Sequence, residues 1–454
     1  MRKTISVICS LFLAAGAALY AQQAVNELDR PHPGSGHVIT PQVSMEQPGD
    51  TGNRMHTNYK IFIPATMTEE EFNSFEHPAT TSEPVPYYYA ETPASLACLY
   101  GAVGATSGCN PFSLPNSGHA TGGSKAIAIV DAYDYPTALA DLKVYSSEFG
   151  LAAPTSSTFT VVYATGTNPG PDPNCAKYGG WSCWSSEESL DIEMAHALAP
   201  SAHVYLVEAA SAKTSDLIVA VKKAISLVVA AGGGEISMSW GGGEGSAETS
   251  LDSGFAGKNV VFFASTGDSE GTEYPSTSPN VVAVGGTTIT RNPSTLAFEE
   301  EISWEDGGGG ISKYETKPSY QNSISALSGS SNRGVPDIAA IGNPRTGVWV
   351  YDSYQTNSVG DYCLYNYDTD EGTNWCIFGG TSVASPVTAA LVNHAGHFSA
   401  SAAAEHTLIY SNYTNTSDYR DITYGTCGWY EGWFAQAGWD PCTGLGAPIG
   451  SAGK

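Results

Sequence analysis

Positively charged residues are scarce in this sequence. It contains 19 Lys and Arg against 45 Asp and Glu, which gives a formal net charge of −26. Nucleic acids and anionic membrane surfaces would repel such a chain, so the charge argues against both as partners. Charged residues of either sign make up only 14% of the chain, so neutral polar groups supply much of its solubility. A surface of this kind changes little when its carboxyl groups are protonated, and the composition therefore favours an acidic medium.

Long apolar runs are also missing. The one candidate, Ile5 to Leu19, is too short for an ordinary membrane-spanning helix. It follows the basic residues Arg2 and Lys3 and leads to small residues that end at Ala21, which is typical of a secretory signal peptide. The sequence therefore predicts a signal peptide over residues 1–21 and a secreted protein that does not contact the membrane after cleavage.

Cysteine spacings of the metal-binding kind are absent as well. After the predicted signal, eight cysteines remain, and none of their close pairs has the Cys-x-x-Cys spacing of common zinc sites. An even number of cysteines behind a signal peptide indicates disulfides instead. Nearest-neighbour pairing is the simplest connectivity, and it would join Cys98/Cys109, Cys175/Cys183, Cys363/Cys376 and Cys427/Cys442.

Short β-branched runs alternate with helical patterns after residue 91. The predicted strands are Ala126–Val130, Val204–Glu208, Glu235–Ser239, Val260–Ala264 and Val281–Val284, and the predicted helices are Tyr135–Phe149, Glu187–Leu198, Asp216–Ala231 and Glu248–Gly254. This alternation predicts an α/β fold with a mainly parallel sheet and helices on both faces. The functional site of such a sheet lies at the carboxyl ends of its strands. We expect one domain over residues 91–454, preceded by a pro-segment or N-terminal extension over residues 22–90.

The sequence Gly-Gly-Thr-Ser-Val-Ala-Ser-Pro, residues 379–386, is the most specific motif. Its glycines permit a sharp turn, and an apolar run with helical spacing follows, so Ser382 is expected where a loop enters a helix. Pro386 is tolerated best in the first turn of a helix, which would place the helix start close to it. A glycine loop with an ordinary serine cap is the alternative for a bare Gly-Thr-Ser. The full octet resembles the nucleophile segment of subtilisin-like serine peptidases and of the related sedolisins.

The histidine of the subtilisin triad is missing. Asp131 follows a predicted strand, as the subtilisin pattern requires, but a helix with Glu187 and Asp191 stands where the histidine segment would begin. Residues four apart project from one face of a helix, so these two carboxyl groups lie side by side. A solvated acidic face is the alternative for this pair alone. Together with Ser382, the pair resembles the sedolisin family of serine-carboxyl peptidases.

The resemblance covers nearly all of residues 91–450. It includes Glu187-x-x-x-Asp191-Ile192-Glu193, Ser237-Met238-Ser239-Trp240-Gly241, Ala264-Ser265-Thr266-Gly267-Asp268-Ser269, Tyr274-Pro275, Val284-Gly285-Gly286-Thr287-Thr288 and the final Gly-Trp-Asp-Pro-Cys-Thr-Gly. It implies a subtilisin-like fold, with Ser382 as nucleophile, Glu187 as general base and Asp191 as its partner. It also implies that Asp268 is an oxyanion donor, which a carboxyl group can be only while protonated. Glu188 could be mistaken for the base, but the family spacing of four favours Glu187.

The same resemblance implies one calcium ion near the C-terminus. Its ligands would be the carboxylates of Asp421 and Asp440 and the backbone carbonyls of Ile422, Gln436 and Gly438. Gln436 replaces the usual glycine of the family pattern. Without the resemblance, this stretch would be interpreted as a turn closed by Cys427 and Cys442.

The sequence thus predicts a secreted, monomeric, acid-acting serine-carboxyl endopeptidase that cleaves proteins or peptides and binds calcium. Two alternatives stay open: a subtilisin-type peptidase that uses Asp131, and a catalytically silent secreted binding protein with the same fold. We expect Asp131 to have a structural or supporting role, and His196 to be a packed helix residue. The family's usual prodomain is much longer than residues 22–90, so this chain would either use a reduced pro-segment or not be processed in the usual way.

Overall fold

The structure is a computed structural model that describes residues 36–64, 89–104, 107–178, 180–354, 364–366, 371–428 and 432–450. The predicted signal peptide, residues 1–21, lies outside the described residues. The predicted N-terminal extension, residues 22–90, is described over 36–64 and 89–90.

The described helices and strands follow in chain order. The α-helices are α1 Pro93–Leu99, α2 Ala138–Glu148, α3 Pro173–Tyr178, α4 Trp184–Leu198, α5 Thr214–Ala230, α6 Thr381–Ala395 and α7 Ala402–Asn412. The strands are β1 Gly36–Ile39, β2 His56–Thr57, β3 Lys60–Pro64, β4 Ala126–Ala132, β5 Phe159–Tyr163, β6 His203–Ala209, β7 Gly234–Met238, β8 Trp240–Gly243, β9 Val260–Ser265, β10 Glu273–Tyr274, β11 Val282–Arg291, β12 Phe298–Ser303, β13 Gly310–Thr316, β14 Asn332–Val335, β15 Ile338–Ile341, β16 Val348–Tyr351, β17 Leu364–Asn366, β18 Glu371–Thr373, β19 Trp375–Gly379, β20 Tyr419–Arg420, β21 Thr426–Gly428, β22 Trp433–Phe434 and β23 Ala447–Pro448.

The central sheet has the strand order β12-β11-β9-β7-β4-β6-β5, and β15 pairs with β11. All of these pairs are parallel except β11 with β12. Strands β4, β7, β9 and β11 are buried along their whole length, which explains why their sequences do not alternate between apolar and exposed polar residues. The expected parallel α/β sheet is therefore confirmed.

Helices cover both faces of this sheet. Helices α4 and α6 pack against each other, and α6 also lies on β7, β9, β11 and β15, while α5 packs on β4, β6 and β7. The hydrophobic core runs through these layers and includes the fully buried Trp184 and Trp240. Within the described ranges, no helix combines the length and apolarity needed to cross a membrane.

The N-terminal segment is more ordered than its sequence indicated. Strand β3 pairs antiparallel with β1 on one side and with β19 on the other, and β2 pairs with β8. Ile61 and Ile63 of β3 are fully buried. Residues 36–64 therefore pack against the strand that leads into the Ser382 octet.

Three of the four predicted disulfides are confirmed. Cys98–Cys109, Cys175–Cys183 and Cys427–Cys442 are bonded as nearest neighbours. Cys376 is also disulfide-bonded, and its expected partner, Cys363, lies outside the described residues.

Two predicted elements differ from the structure. Residues Glu248–Gly254 form two short 3₁₀ turns, Glu248–Ser250 and Asp252–Gly254, rather than one helix. Helix α6 begins at Thr381, so Pro386 lies inside it and not in its first turn. Proline has no N–H for the carbonyl of Ser382 one turn earlier, and the Ser239 hydroxyl lies 3.2 Å from that carbonyl oxygen in its place. The same hydroxyl lies 2.8 Å from Asp191 Oδ1, so its single proton can serve only one of these two oxygens at a time.

Candidate active site

Ser382 lies in the first turn of α6, directly after β19. Gly380 precedes the helix with φ +110°, a conformation that residues with a Cβ rarely adopt. Ser382 is fully buried, and its hydroxyl donates a hydrogen bond to Ser239 O at 3.1 Å. The turn thus presents the hydroxyl and the backbone N–H of Ser382 to the same cleft.

Glu187 and Asp191 lie on α4, and both are fully buried. Burial raises the pKa of both carboxyl groups well above their usual range, and the Asp191 charge raises the pKa of Glu187 further. The nearby Ser382 hydroxyl has a smaller effect in the opposite direction on Glu187. Asp191 Oδ1 accepts a hydrogen bond from Ser239 Oγ at 2.8 Å. The structure therefore brings together Ser382 and a pair of carboxyl groups that favours holding a proton.

Glu188 faces a different group of acids. Burial raises its pKa, and the next contributions come from Glu208 and Asp131. Neither Ser382 nor Asp268 is among the five main influences on the pKa of Glu188, whereas both are among those on Glu187. Successive residues of a helix point about 100° apart, so only one of the two glutamates can face the serine. In the structure, that residue is Glu187.

Asp268 lies in the loop after β9, beside the start of α6. Its Oδ1 accepts hydrogen bonds from the Thr381 N–H at 2.7 Å and the Thr381 hydroxyl at 3.0 Å. Its Oδ2 is buried and has no hydrogen-bond partner among the described residues. Burial raises the pKa of Asp268 to about 7. A protonated Oδ2 would therefore be a free donor in the cleft.

Asp131 is the last-but-one residue of β4 and belongs to the same buried acid cluster. It is fully buried, and neither of its oxygens has a hydrogen-bond partner among the described residues. Burial raises the pKa of Asp131 to about 8, and its charge raises the pKa values of Glu187 and Asp191. Asp131 therefore lies near the pair and forms no hydrogen bond to Ser382, and its supporting role stays a prediction.

His196 cannot replace the missing triad histidine. It is buried near the end of α4, and its Nε2 lies 2.8 Å from Ala152 O. The expectation of a packed helix residue is confirmed.

Two residues of the cleft were not predicted as functional. Ser239 connects Asp191 to the Ser382 backbone, and only its place in the quoted Ser-Met-Ser-Trp-Gly motif indicated it. Glu273, buried on β10, accepts a hydrogen bond from Asn58 Nδ2 at 3.1 Å. Its sequence context has no feature that separates it from an ordinary surface acid.

The five predicted calcium ligands lie in one C-terminal region. Asp421 accepts hydrogen bonds from the Gly438 N–H, and Asp440 accepts one from the Gln436 N–H, each at 3.1 Å. Ile422 and Asp440 are buried. No group of three or more His, Cys, Asp or Glu side chains that could hold a metal occurs in the described part of the chain. The carboxylates of Asp421, before β21, and Asp440, after β22, supplemented by carbonyl oxygens, nevertheless fit the oxygen chemistry of calcium.

The sheet, the serine at the start of a buried helix and the carboxyl groups opposite it define a subtilisin-like protein. The family model described as the subtilase family matches residues 164–421. The chain therefore belongs to the subtilase family, and its relatives place it with the sedolisins.

Two curated relatives illustrate this placement. The chain is 31% identical to kumamolisin of Bacillus sp. (strain MN-32) over 373 residues, which are 72% of this chain and 59% of the relative. It is 26% identical to sedolisin of Pseudomonas sp. (strain 101) over 386 residues, 76% of this chain and 60% of the relative. The chain thus spans about 60% of the length of these relatives.

A solved structure shares the fold. It is Pseudomonas sedolisin, a serine-carboxyl proteinase, complexed with two molecules of pseudo-iodotyrostatin. The match has a TM-score of 0.58 and 24% sequence identity, and it covers 79% of this chain and 95% of the other. This likeness supports the subtilisin-like α/β fold.

Proposed function

We propose that this protein is a secreted serine-carboxyl endopeptidase that hydrolyses peptide bonds in acid. One observation is the main support for this proposal. Ser382, the Glu187/Asp191 pair and the unpaired Oδ2 of Asp268 lie around one buried cleft. Family membership and the similarity to kumamolisin and sedolisin support it. Residues 1–21 would be a signal peptide, and residues 22–90 would include a pro-segment.

The proposed reaction begins with attack of Ser382 Oγ on the peptide carbonyl. Glu187 takes the hydroxyl proton, and Asp191 shares a proton with Glu187 so that the pair carries one charge rather than two. The Ser382 hydroxyl, which donates to Ser239 O, must first turn towards Glu187. Glu187 then returns the proton to the leaving amine, and water releases the acyl group by the reverse sequence.

Two donors would stabilise the oxyanion. One is the backbone N–H of Ser382, and the other is the protonated Oδ2 of Asp268. Gly380 allows the substrate carbonyl to approach them, since a side chain at this position would fill the space in front of Asp268. Because Asp268 donates only while protonated, its pKa sets an upper limit to the active pH range.

We also propose that Asp421, Asp440 and the carbonyls of Ile422, Gln436 and Gly438 hold one calcium ion. The ion would stabilise the C-terminal loops and take no part in the reaction. It would bind the folded chain only, so binding would raise the free energy of unfolding.

Replacing the nucleophile tests the proposal. Ser382→Ala should abolish cleavage of a denatured protein substrate between pH 3 and 6 while leaving the far-ultraviolet circular dichroism unchanged. Ser385→Ala is the matched control, because Ser385 is also buried on α6 but its hydroxyl bonds to Ser237. Cleavage by purified Ser382→Ala at the wild-type rate would contradict the proposal. An inert wild-type protein that binds peptides tightly would support the binding-protein alternative instead.

A further inference from the structure

The cleft described above is occupied by the chain's own N-terminal segment. Strand β2 pairs antiparallel with β8, with His56 opposite Gly241 and Thr57 opposite Trp240. Upstream, the Met55 N–H donates to Ala212 O at 2.9 Å. The segment Met55–Lys60 therefore runs between two edges of the cleft as an added strand, which is how extended peptides bind to exposed sheet edges.

Asn58 sits at the reacting position. Its carbonyl oxygen accepts a hydrogen bond from the Ser382 N–H at 2.9 Å. A Cβ built on Gly380 would lie 2.1 Å from this oxygen and 2.6 Å from Asp268 Oδ2, so the oxygen and the free acid face the same small space. The Asn58 N–H lies 3.3 Å from Ser239 O and 3.2 Å from Ser382 Oγ. The Asn58 carbonyl therefore takes the place that the proposed mechanism gives to the peptide bond under attack.

The Asn58 side chain fills a polar pocket. Its Nδ2 donates to Ser265 Oγ at 2.9 Å and to Glu273 Oε2 at 3.1 Å. Ser265 is fully buried and Glu273 nearly so, and an apolar side chain in place of Asn58 would leave both without this partner. Buried acceptors left unpaired are costly, so the pocket favours a short side chain that carries N–H donors, as the carboxamide of asparagine does.

The residues after Asn58 are also held. Tyr59 is fully buried, and its hydroxyl donates to Trp181 O at 2.6 Å. Lys60 forms an ion pair with Asp306 at 2.8 Å, and the next residues pair with β19. Because the chain is fixed on both sides of the Asn58–Tyr59 bond, the bond cannot move away from Ser382 without loss of both pairings.

We propose that Asn58–Tyr59 is a self-cleavage site, and that the pocket of Ser265 and Glu273 selects asparagine on the acyl side of the bonds this protein cleaves. This inference depends on the proposed function. Ser382 Oγ would bond to the Asn58 carbonyl carbon, the Tyr59 amine would leave with the proton carried by Glu187, and one water molecule would then release a free Asn58 carboxylate. Until that happens, the segment blocks the cleft.

The cleaved halves would not separate at once. Strand β1 lies upstream of the bond and pairs with β3, which lies downstream of it. The product ending in Asn58 therefore stays attached through β1 and β2, and activity towards other substrates should appear later than the cleavage itself.

The experiment uses the full chain, expressed with Ser382→Ala as a parallel sample and moved from pH 7 to pH 4. Intact-mass spectrometry should find, in the wild type only, one fragment ending at Asn58 and one beginning at Tyr59. The rate should not depend on protein concentration, because the bond is cleaved within its own molecule. Asn58→Leu should slow this cleavage at least tenfold, and the matched control Asn53→Leu should not. Within the described residues, the exposed Asn53 side chain bonds only to Gly49 and Thr51 of its own turn.

The second measurement uses a free peptide, so its result does not depend on whether a protein variant folds. The peptide Asn-Arg-Met-His-Thr-Asn-Tyr-Lys-Ile-Phe, residues 53–62, should be cut between its second asparagine and tyrosine, and the analogue with leucine there should be cut at least tenfold more slowly. If Ser382-dependent cleavage of other peptides occurs while the Asn58–Tyr59 bond stays intact, this inference is wrong and the proposed function stands. If neither the Asn58–Tyr59 bond nor any added peptide is cleaved at any pH, the proposed function itself fails.

Discussion

Replacing Asp268 with asparagine should change the pH dependence of catalysis in a way that can be calculated. Burial raises the pKa of Asp268 to about 7. At pH 5, a group with this pKa is about 99% protonated, whereas an ordinary aspartic acid would be about 7% protonated. The wild type therefore has its oxyanion donor in acid and loses it as pH rises through 7.

The amide of Asp268→Asn donates at every pH but does not take the same position as the acid. Misalignment of an oxyanion donor costs about a hundredfold in rate, so the variant should be about a hundredfold slower than wild type at pH 5. Above pH 7, the wild type loses about a factor of ten per pH unit through Asp268 alone. The ratio of variant to wild-type rate should thus rise from about 0.01 at pH 5 to about 1 at pH 9.

The ratio isolates Asp268 from the other acids. The Glu187/Asp191 pair also loses its proton as pH rises, but it does so in both proteins. Since the Asp268 charge is the smallest of the five main influences on the pKa of Glu187, most of this effect cancels in the ratio. The assay is kcat/KM for an internally quenched peptide from pH 3 to 9, with circular dichroism at each point to confirm folding. Asp216→Asn, at the N-terminus of α5, is the control, and its ratio to wild type should stay flat. A flat ratio for Asp268→Asn would refute the role of Asp268 as a titrating donor.

Three further outcomes test the site and the fold. Glu187→Gln should lower kcat/KM by about a thousandfold, and Glu188→Gln by less than tenfold, in the same peptide assay; the reverse order would mean that Glu188 is the base. Asp131 has a pKa of about 8 when folded, so the folded state holds a proton that the unfolded chain loses near pH 4. The free energy of unfolding should therefore fall by about 1.4 kcal/mol per pH unit between pH 4 and 8 from this group, and urea denaturation of Asp131→Asn should show a shallower fall; equal slopes would contradict this. A calcium chelator should lower the melting temperature of the wild type. Asp440→Ala should lower the melting temperature equally and abolish the chelator effect. A wild-type melting temperature that is unchanged by chelator after long dialysis would count against the calcium site.

The sequence predicted the features that depend on local patterns. Buried parallel strands are recognisable as short apolar runs, and four of the predicted strands agree with β4, β6, β7 and β9 to within two residues at each end. The spacing of Glu187 and Asp191 fixed their shared helix face, and the octet placed Ser382 at the start of a helix. These predictions needed no knowledge of distant contacts.

The features that failed depend on contacts between distant parts of the chain. Pro386 was expected to mark the start of α6, but it lies inside the helix. The carbonyl that it leaves without a helical partner belongs to Ser382, and the hydroxyl of Ser239, 143 residues before Ser382, lies beside that carbonyl. The segment Met55–Lys60 has ordinary composition, and only its pairing with β8 and β19 reveals that it fills the cleft. Glu273 was missed for the same reason, because its partner Asn58 is 215 residues away in sequence.

The buried acids explain why acid should favour both folding and activity. Asp131, Glu187, Glu188 and Asp191 are fully buried, and none of them pairs with a lysine or arginine within the described residues. Desolvation and mutual repulsion therefore act against ionisation of the whole cluster, which keeps protons that an unfolded chain would release. Each such group contributes a loss of stability as pH rises, with the same sign as Asp131. Since the reaction needs the proton shared by Glu187 and Asp191, the pH range in which the cluster stabilises the fold overlaps the range in which the site can work.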